Sequence, residues 1–98
     1  MARFDVYAGS RGRGYLLNCQ TDLLSDLETR VVVPLLLASG VPRATRLNPV
    51  FNVGADQVVM STQLMFAIPR ERLGSPIASL TEHHTAIMNA LDMLLTGY

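Results

Sequence analysis

The stretch from Gln20 to Leu35 constrains the fold of this 98-residue chain most strongly. A polar run, Gln20-Thr21-Asp22, holds a leucine pair, Leu23-Leu24, and continues through Ser25-Asp26-Leu27-Glu28-Thr29 directly into Arg30-Val31-Val32-Val33-Pro34-Leu35. Three consecutive β-branched residues favour an extended backbone. Pro34 has no N–H to give a sheet, so this strand is expected at a sheet edge or at a bulge. The leucine pair stands between Asp22 and Asp26, where a plain loop would be polar. On the residues alone, both leucines fit a loop tucked into a satellite core.

Hydrophobic periodicity orders the rest. Arg3 to Tyr7 alternates, with Phe4 and Val6 on one face and Arg3, Asp5 and Tyr7 on the other, which predicts a half-buried strand. Gly9-Ser10-Arg11-Gly12-Arg13-Gly14 supplies a flexible hairpin loop, and Tyr15 to Gln20 returns as a second strand. Arg30 to Leu36 is the third strand. Ala38 to Arg46, with Gly40 and Pro42, reads as an irregular connection with room for one helical turn. Pro49–Val53 and Gln57–Ser61 form a hairpin around a three-residue turn, Gly54-Ala55-Asp56. Gln63–Ile68 is a short strand or turn stopped by Pro69, and Arg70 to Pro76 reads as polar surface.

The period then changes. Ser79 followed by Glu82 matches a capping box. Ile87, Leu91, Leu94 and Tyr98 recur at helical spacing, with Leu95 widening the stripe. No glycine or proline interrupts Leu80 to Thr96, and Gly97 suits a left-handed helix end. Leu91 and Leu94 are therefore expected to be buried. Strands first and one long helix last is an α+β pattern in a single domain over residues 1–98: an antiparallel sheet with a helix packed on one side.

Composition narrows the function. Hydrophobic residues make up 49% of the chain and charged residues 16%, an apolar balance that predicts a subunit interface for so small a domain. The net charge is zero, without the overall basic footprint of a nucleic-acid binder. A single cysteine, Cys19, excludes an intrachain disulfide and fits a reducing cytoplasm; its place in a strand makes it a small core hydrophobe. Nothing matches a signal peptide, and no apolar run approaches the roughly 18 residues of a membrane span.

The polar clusters favour binding over chemistry. Glu82-His83-His84 lacks the three converging ligands of a zinc site and reads as a solvated first helical turn. Arg11 and Arg13 among glycines have no following helix to hold a pyrophosphate, so a surface hairpin fits them better. Asp22, Asp26 and Glu28 stand beside no nucleophile and read as a polar linker. No cofactor, metal site or catalytic residue is expected.

Three segments together resemble the CcdB family, the gyrase-poisoning toxins of bacterial toxin–antitoxin pairs. These are Phe4-Asp5-Val6-Tyr7, the stretch from Gln20 to Leu35, and Ala90-Leu91-Asp92-Met93-Leu94-Leu95-Thr96-Gly97-Tyr98 at the end. The resemblance implies an antiparallel, barrel-like sheet with a long C-terminal helix, a CcdB/MazF-like barrel. It implies a cytoplasmic homodimer that acts by binding the gyrase A subunit and trapping the cleaved gyrase–DNA complex. Its other partner would be a CcdA-like antitoxin, through which alone it would reach DNA. The gyrase-binding residues implied are Leu23, Leu24, Asp92, Thr96, Gly97 and Tyr98. Asp92 stands where the family has asparagine, and Thr96-Gly97-Tyr98 where its best-known members end in tryptophan, glycine and isoleucine. Two other functions stay open: an endoribonuclease toxin using Arg11, Arg13 and Asp22 or Thr21, and a dimer that binds antitoxin but has lost its gyrase contact.

Overall fold

The computed structural model describes residues 2–9, 14–39 and 43–97. Seven strands and one α-helix lie among them: β1 (Asp5–Ala8), β2 (Tyr15–Asn18), β3 (Thr29–Leu37), β4 (Val50–Val53), β5 (Asp56–Met60), β6 (Phe66–Pro69), β7 (Ala78–Ser79) and α1 (His84–Thr96). All pairings are antiparallel, in the order β4-β5-β3-β2-β1-β7, with β6 added to the other end of β3. The sheet curls into a nearly closed barrel with α1 against one side, the α+β architecture expected.

β3 is central, not the edge strand that Pro34 suggested. Along one side it pairs with β2 over Asn18↔Val32 to Tyr15↔Leu35. Along the other, β6 covers Thr29 to Val32 and β5 covers Leu35 to Leu37. Pro34 sits at the handover. Its carbonyl accepts from the Ser61 N–H at 2.9 Å, so its nitrogen faces the same gap between β5 and β6, where no strand needs a donor. The antiparallel pattern makes this possible, because the N–H and C=O of one residue point to the same neighbour. Pro69 follows the same logic on β6. The Arg70 N–H donates to the Glu28 carbonyl at 2.8 Å; alternation then turns the backbone of Ala67 and Pro69 to the open edge, where a missing N–H discourages strand addition.

The main core lies between the sheet and α1. Phe4, Val6, Leu17, Val33, Leu35, Val58 and Met60 from the strands meet Ile87, Ala90 and Leu91 from the helix. Tyr7 is buried as well, where alternation had turned it to solvent. It forms a small second core with Val32 and Leu73 on the opposite sheet face, beside Leu16 and Ile68. Leu73 thus interrupts the Arg70–Pro76 stretch that reads as polar surface. At the start of the chain Phe4 takes a positive φ of 71°, a strained conformation for a bulky residue. Its ring is buried and its backbone is held by Asn18 and Leu80, so surrounding contacts offset the strain. Gly14, at φ 70°, admits no side chain: a Cβ there would lie 2.4 Å from the Leu35 carbonyl oxygen.

Three local expectations change. The β4–β5 turn has two residues, because Val53 pairs with Asp56; Gly54 takes φ 58° and Ala55 an ordinary negative φ, a combination that suits a tight hairpin. The capping box does not form. The Ser79 hydroxyl accepts from the Thr81 N–H instead, a 3-10 turn occupies Thr81–His83, and α1 begins at His84. Finally, the buried helix stripe is Ile87, Ala90 and Leu91, whereas Leu94 and Leu95 are 36% and 69% exposed. Past Leu91 every described residue of the helix is exposed, so the sheet does not cover its last turn. Gly97 closes it in the left-handed conformation at φ 79°, as its position predicted. The described parts of the Ala38–Arg46 connection contain no helical turn; Gly40 and Pro42 lie outside the described residues.

Candidate binding surface beside the C-terminal helix

The leucine-bearing loop is braced from beneath by two buried polar side chains. Gln20 accepts from the Val31 N–H at 3.1 Å and donates to the Leu24 carbonyl at 3.1 Å. Arg30, 4% exposed, donates to the carbonyls of Leu27 (2.6 Å), Thr29 (2.8 Å) and Ser25 (2.8 Å). The Thr21 hydroxyl accepts from the Leu23 N–H, and Asp22 accepts from the backbone N–H of Arg3 at 2.9 Å. Asp22–Leu24 therefore forms a 3-10 turn whose polar groups are satisfied inward or locally. Its apolar side chains are turned out: Leu23 is 92% exposed, Leu24 and Leu27 48% each. This excludes the satellite-core reading. Single exposed leucines are ordinary, but three within five residues on a braced turn form an apolar patch.

A groove of about 380 Å³ separates this loop from α1. Leu24, Met65, Met88, Leu91 and Leu95 line it, and Asp92 supplies a carboxylate. Leu24 and Asp92, far apart in sequence, thus share one surface. Thr96 lies a turn beyond, exposed, with its hydroxyl donating to the Asp92 carbonyl at 2.7 Å. The Gly97 N–H reaches the carbonyls of Asp92 and Met93. Leu23 stands on the loop outside the groove lining, and Tyr98 lies outside the described residues. Met65 and Met88 escaped sequence reasoning. Their unbranched, polarizable side chains suit an adaptable contact, but no periodic signal brings them together.

Cys19 forms part of the groove floor and is a buried hydrophobe, as expected. Burial pushes its thiol up from 9.0 to about 12, with Arg3 opposing weakly. The fold therefore holds a proton that the unfolded chain releases near pH 9. Its contribution is complete below that pH and is lost as pH rises towards 12. Native protein at pH 8.5 should resist iodoacetamide for hours and react within minutes in urea; equal rates would show an accessible thiolate.

The other polar groups do not converge. His83 lies 3.6 Å from Glu82, and its ring packs on Phe51 at 4.8 Å between centroids. His84 meets the edge of Phe4 at 5.5 Å. Among the described residues no group of three or more histidine, cysteine or acidic side chains is placed to hold a metal ion. The Tyr15 hydroxyl donates to Asp56, an interaction that raises the tyrosine's pKa and ties β2 to the β4–β5 hairpin. Arg11 and Arg13 lie outside the described residues, and no helix of the described residues is long and apolar enough to cross a membrane.

Two comparisons bear on this architecture. Among solved structures, an endoribonuclease in complex with its cognate antitoxin, from a Mycobacterial species, is similar in fold. The TM-score is 0.75 at 17% identity, over 97% of this chain and 94% of that one. A family model described as CcdB protein matches residues 3–97. That match takes in the braced leucine loop, the barrel and the C-terminal helix together, and the chain belongs to the CcdB family.

Proposed function

We propose that this protein is the toxin of a toxin–antitoxin pair and acts by binding the gyrase A subunit rather than by catalysis. Family membership supports the general reading. The observation that carries the specific one is Leu23, 92% exposed on a polar-braced turn, beside a groove that joins Leu24 to Asp92 of α1. Such a surface excludes water from a few anchoring contacts, as interface hot spots do.

In this reading the protein is a cytoplasmic homodimer. Exposed Met93, Leu94 and Leu95 on the last turns of α1 supply apolar area for pairing. Two copies about a twofold axis would set both Thr96-Gly97-Tyr98 ends and both leucine loops into one bivalent face, matched to a dimeric target. A toxin that binds the DNA-cleaved state of gyrase more tightly than the resealed state shifts that population and blocks religation. A small antitoxin with a disordered acidic tail would neutralise it by folding onto the dimer and would carry any contact with DNA.

The test is titration against the dimerisation region of gyrase A, with sedimentation to establish the dimer. Saturable binding at two toxin chains per gyrase A dimer is expected; absence of binding would sink the gyrase reading. The shared fold with an endoribonuclease keeps a second reading. Cleavage of single-stranded RNA by the purified protein without added metal would select it. Thr21 and Asp22 are poor candidates for that chemistry, because both side chains already accept backbone N–H groups. Tight antitoxin binding without gyrase binding would select a non-poisoning dimer.

A further inference from the structure

A strap of chain crosses the sheet face turned away from α1. It joins β6, which pairs with β3, to β7, which pairs with β1. On the way Leu73 lies over Tyr7 of β1 and Val32 of β3. The ends of the strap are fixed. The Arg70 N–H donates to the Glu28 carbonyl at 2.8 Å, and the Ile77 N–H to the Val6 carbonyl at 2.8 Å. Between them, among the described residues, Glu71 to Pro76 makes one backbone hydrogen bond. It is local to the strap, from the Leu73 N–H to the Arg70 carbonyl at 3.1 Å. Leu73 is also the one buried residue from Arg70 to Ile77. The middle of the strap is therefore held down by a single side chain.

What lies under Leu73 opposes it. Tyr7 is fully buried, and its hydroxyl has no hydrogen-bond partner among the described residues. The charged groups that act on that hydroxyl are committed elsewhere. Asp5 accepts from the Ala2 N–H at 3.0 Å, and Arg30 donates to the carbonyls of Ser25, Leu27 and Thr29. A hydroxyl buried without a partner forfeits the hydrogen bonds it made to water, and lifting Leu73 returns them. The closed strap thus gains by burying Leu73 and loses by burying the Tyr7 hydroxyl, and the barrel's hydrogen-bond ladder takes no part in that balance. We propose that Glu71–Pro76 is a lid that opens locally while the barrel stays intact, and that the Tyr7 hydroxyl biases it towards opening. Few buried contacts and few backbone bonds are the marks of such a locally unstable segment. Opening changes the surface. Leu16 and Ile68 pack beside Tyr7 under the strap, and both also line a groove of about 520 Å³ on the same face. With the lid up, Tyr7 and Val32 join that groove, which then carries a hydroxyl in its floor. Opening also frees the Arg72–Leu73 peptide bond, which a protease cannot thread while Leu73 is buried. None of this depends on the toxin reading.

The test is trypsin cleavage of the full chain, with each cut followed by mass spectrometry. When opening and closing are fast relative to cleavage, the rate of the Arg72–Leu73 cut tracks the open population. Tyr7→Phe removes the hydroxyl and keeps the ring. It should slow that cut about tenfold, the scale of one unsatisfied hydroxyl, while the cut after exposed Arg46 keeps its rate. Leu73→Ala should speed the same cut by about tenfold or more. The parent protein supplies a measurement that needs no variant. Urea below the unfolding transition should change the Arg72–Leu73 cut little, because lid opening exposes little surface. Alkylation of buried Cys19 should rise steeply over the same range. An unchanged or faster cut in Tyr7→Phe would overturn the inference, since the hydroxyl would then be satisfied in the closed state. Equal urea dependence of the two reactions would overturn it as well, because the strap would then open only when the barrel unfolds.

Discussion

On the proposed gyrase-binding reading, replacing Leu23 and Leu24 together by aspartate should abolish gyrase A binding and growth arrest while leaving the fold intact. The two side chains are 92% and 48% exposed, so their loss removes little buried area. Exposed substitutions of this kind shift stability by about 0.5 kcal/mol, and Leu24 in the groove wall raises that to about 1 kcal/mol. In a complex the balance reverses. Each aspartate would place a charge in a desolvated apolar contact, on a turn that already carries Asp22, Asp26 and Glu28. Losses at such anchors commonly exceed about 2 kcal/mol each, so affinity should fall by a hundredfold or more. The comparison requires a melting curve and a gyrase titration on the same preparation. Undiminished binding would place the contact elsewhere; a collapsed melting temperature would mean that the loop is part of the core.

A different outcome is expected for Arg30→Met, which should unfold the loop before the barrel. The Arg30 guanidinium supplies donors to three backbone carbonyls, those of Ser25, Leu27 and Thr29, and it is 4% exposed. A hydrogen bond to a charged group contributes about 1.5–3 kcal/mol. Release of the buried charge and partial rehydration of the loop offset some of the loss, leaving a net cost of about 3–4 kcal/mol. Gln20 would still hold the Leu24 carbonyl, and the Ser25 and Leu27 N–H groups would keep their local bonds to the Asp22 and Leu24 carbonyls, but the Leu27 carbonyl would lose the guanidinium and the Ser25 carbonyl would keep only the fringe contact from Arg70 at 3.4 Å. Amide exchange at Leu24, Ser25 and Leu27 should therefore accelerate more than exchange in β2 and β3. Arg30→Lys should not rescue the loop, because one ammonium cannot span three carbonyls as the planar fork does. Gyrase affinity should fall with the loop's order, although Arg30 itself is hidden from any partner. An unchanged urea midpoint would refute the bracing role.

The contrast between these two variants separates what is displayed from what displays it. Leu23 has almost no structural role, and Arg30 almost no surface. Sequence reading singled out the first by its place among acidic residues, but on the residues alone it fitted a satellite core and only the family resemblance put it on an exposed face; the second read as an ordinary strand residue. A buried arginine gives no periodic signature; its worth depends on where the carbonyls of a later turn happen to point.

Much of the molecule follows from local physics. Alternation around Val6 and the β-branched run Val31-Val32-Val33 determine strands, and helical spacing determines α1. Gly97 ends that helix because its backbone alone enters the left-handed region without strain. Cys19 is buried because it directly follows apolar β2 and its N–H still bonds the Val31 carbonyl of β3. Apart from that last bond, these features depend on neighbours within a few residues, which the sequence displays directly. Tertiary structure decided the rest. Pro34 occupies a central strand because two different strands, β5 and β6, leave a gap opposite its nitrogen. Leu94 and Leu95 stay exposed because no described element covers that end of the helix, although their spacing matches that of buried Leu91. Tyr7 is buried because Leu73, 66 residues later, covers its face. Met65, Met88 and Leu24 line one groove only once the loop, the sheet and α1 have been brought together. In each case the deciding contact joins residues that no local period relates, and chain topology, not propensity, determines which side of an element is covered.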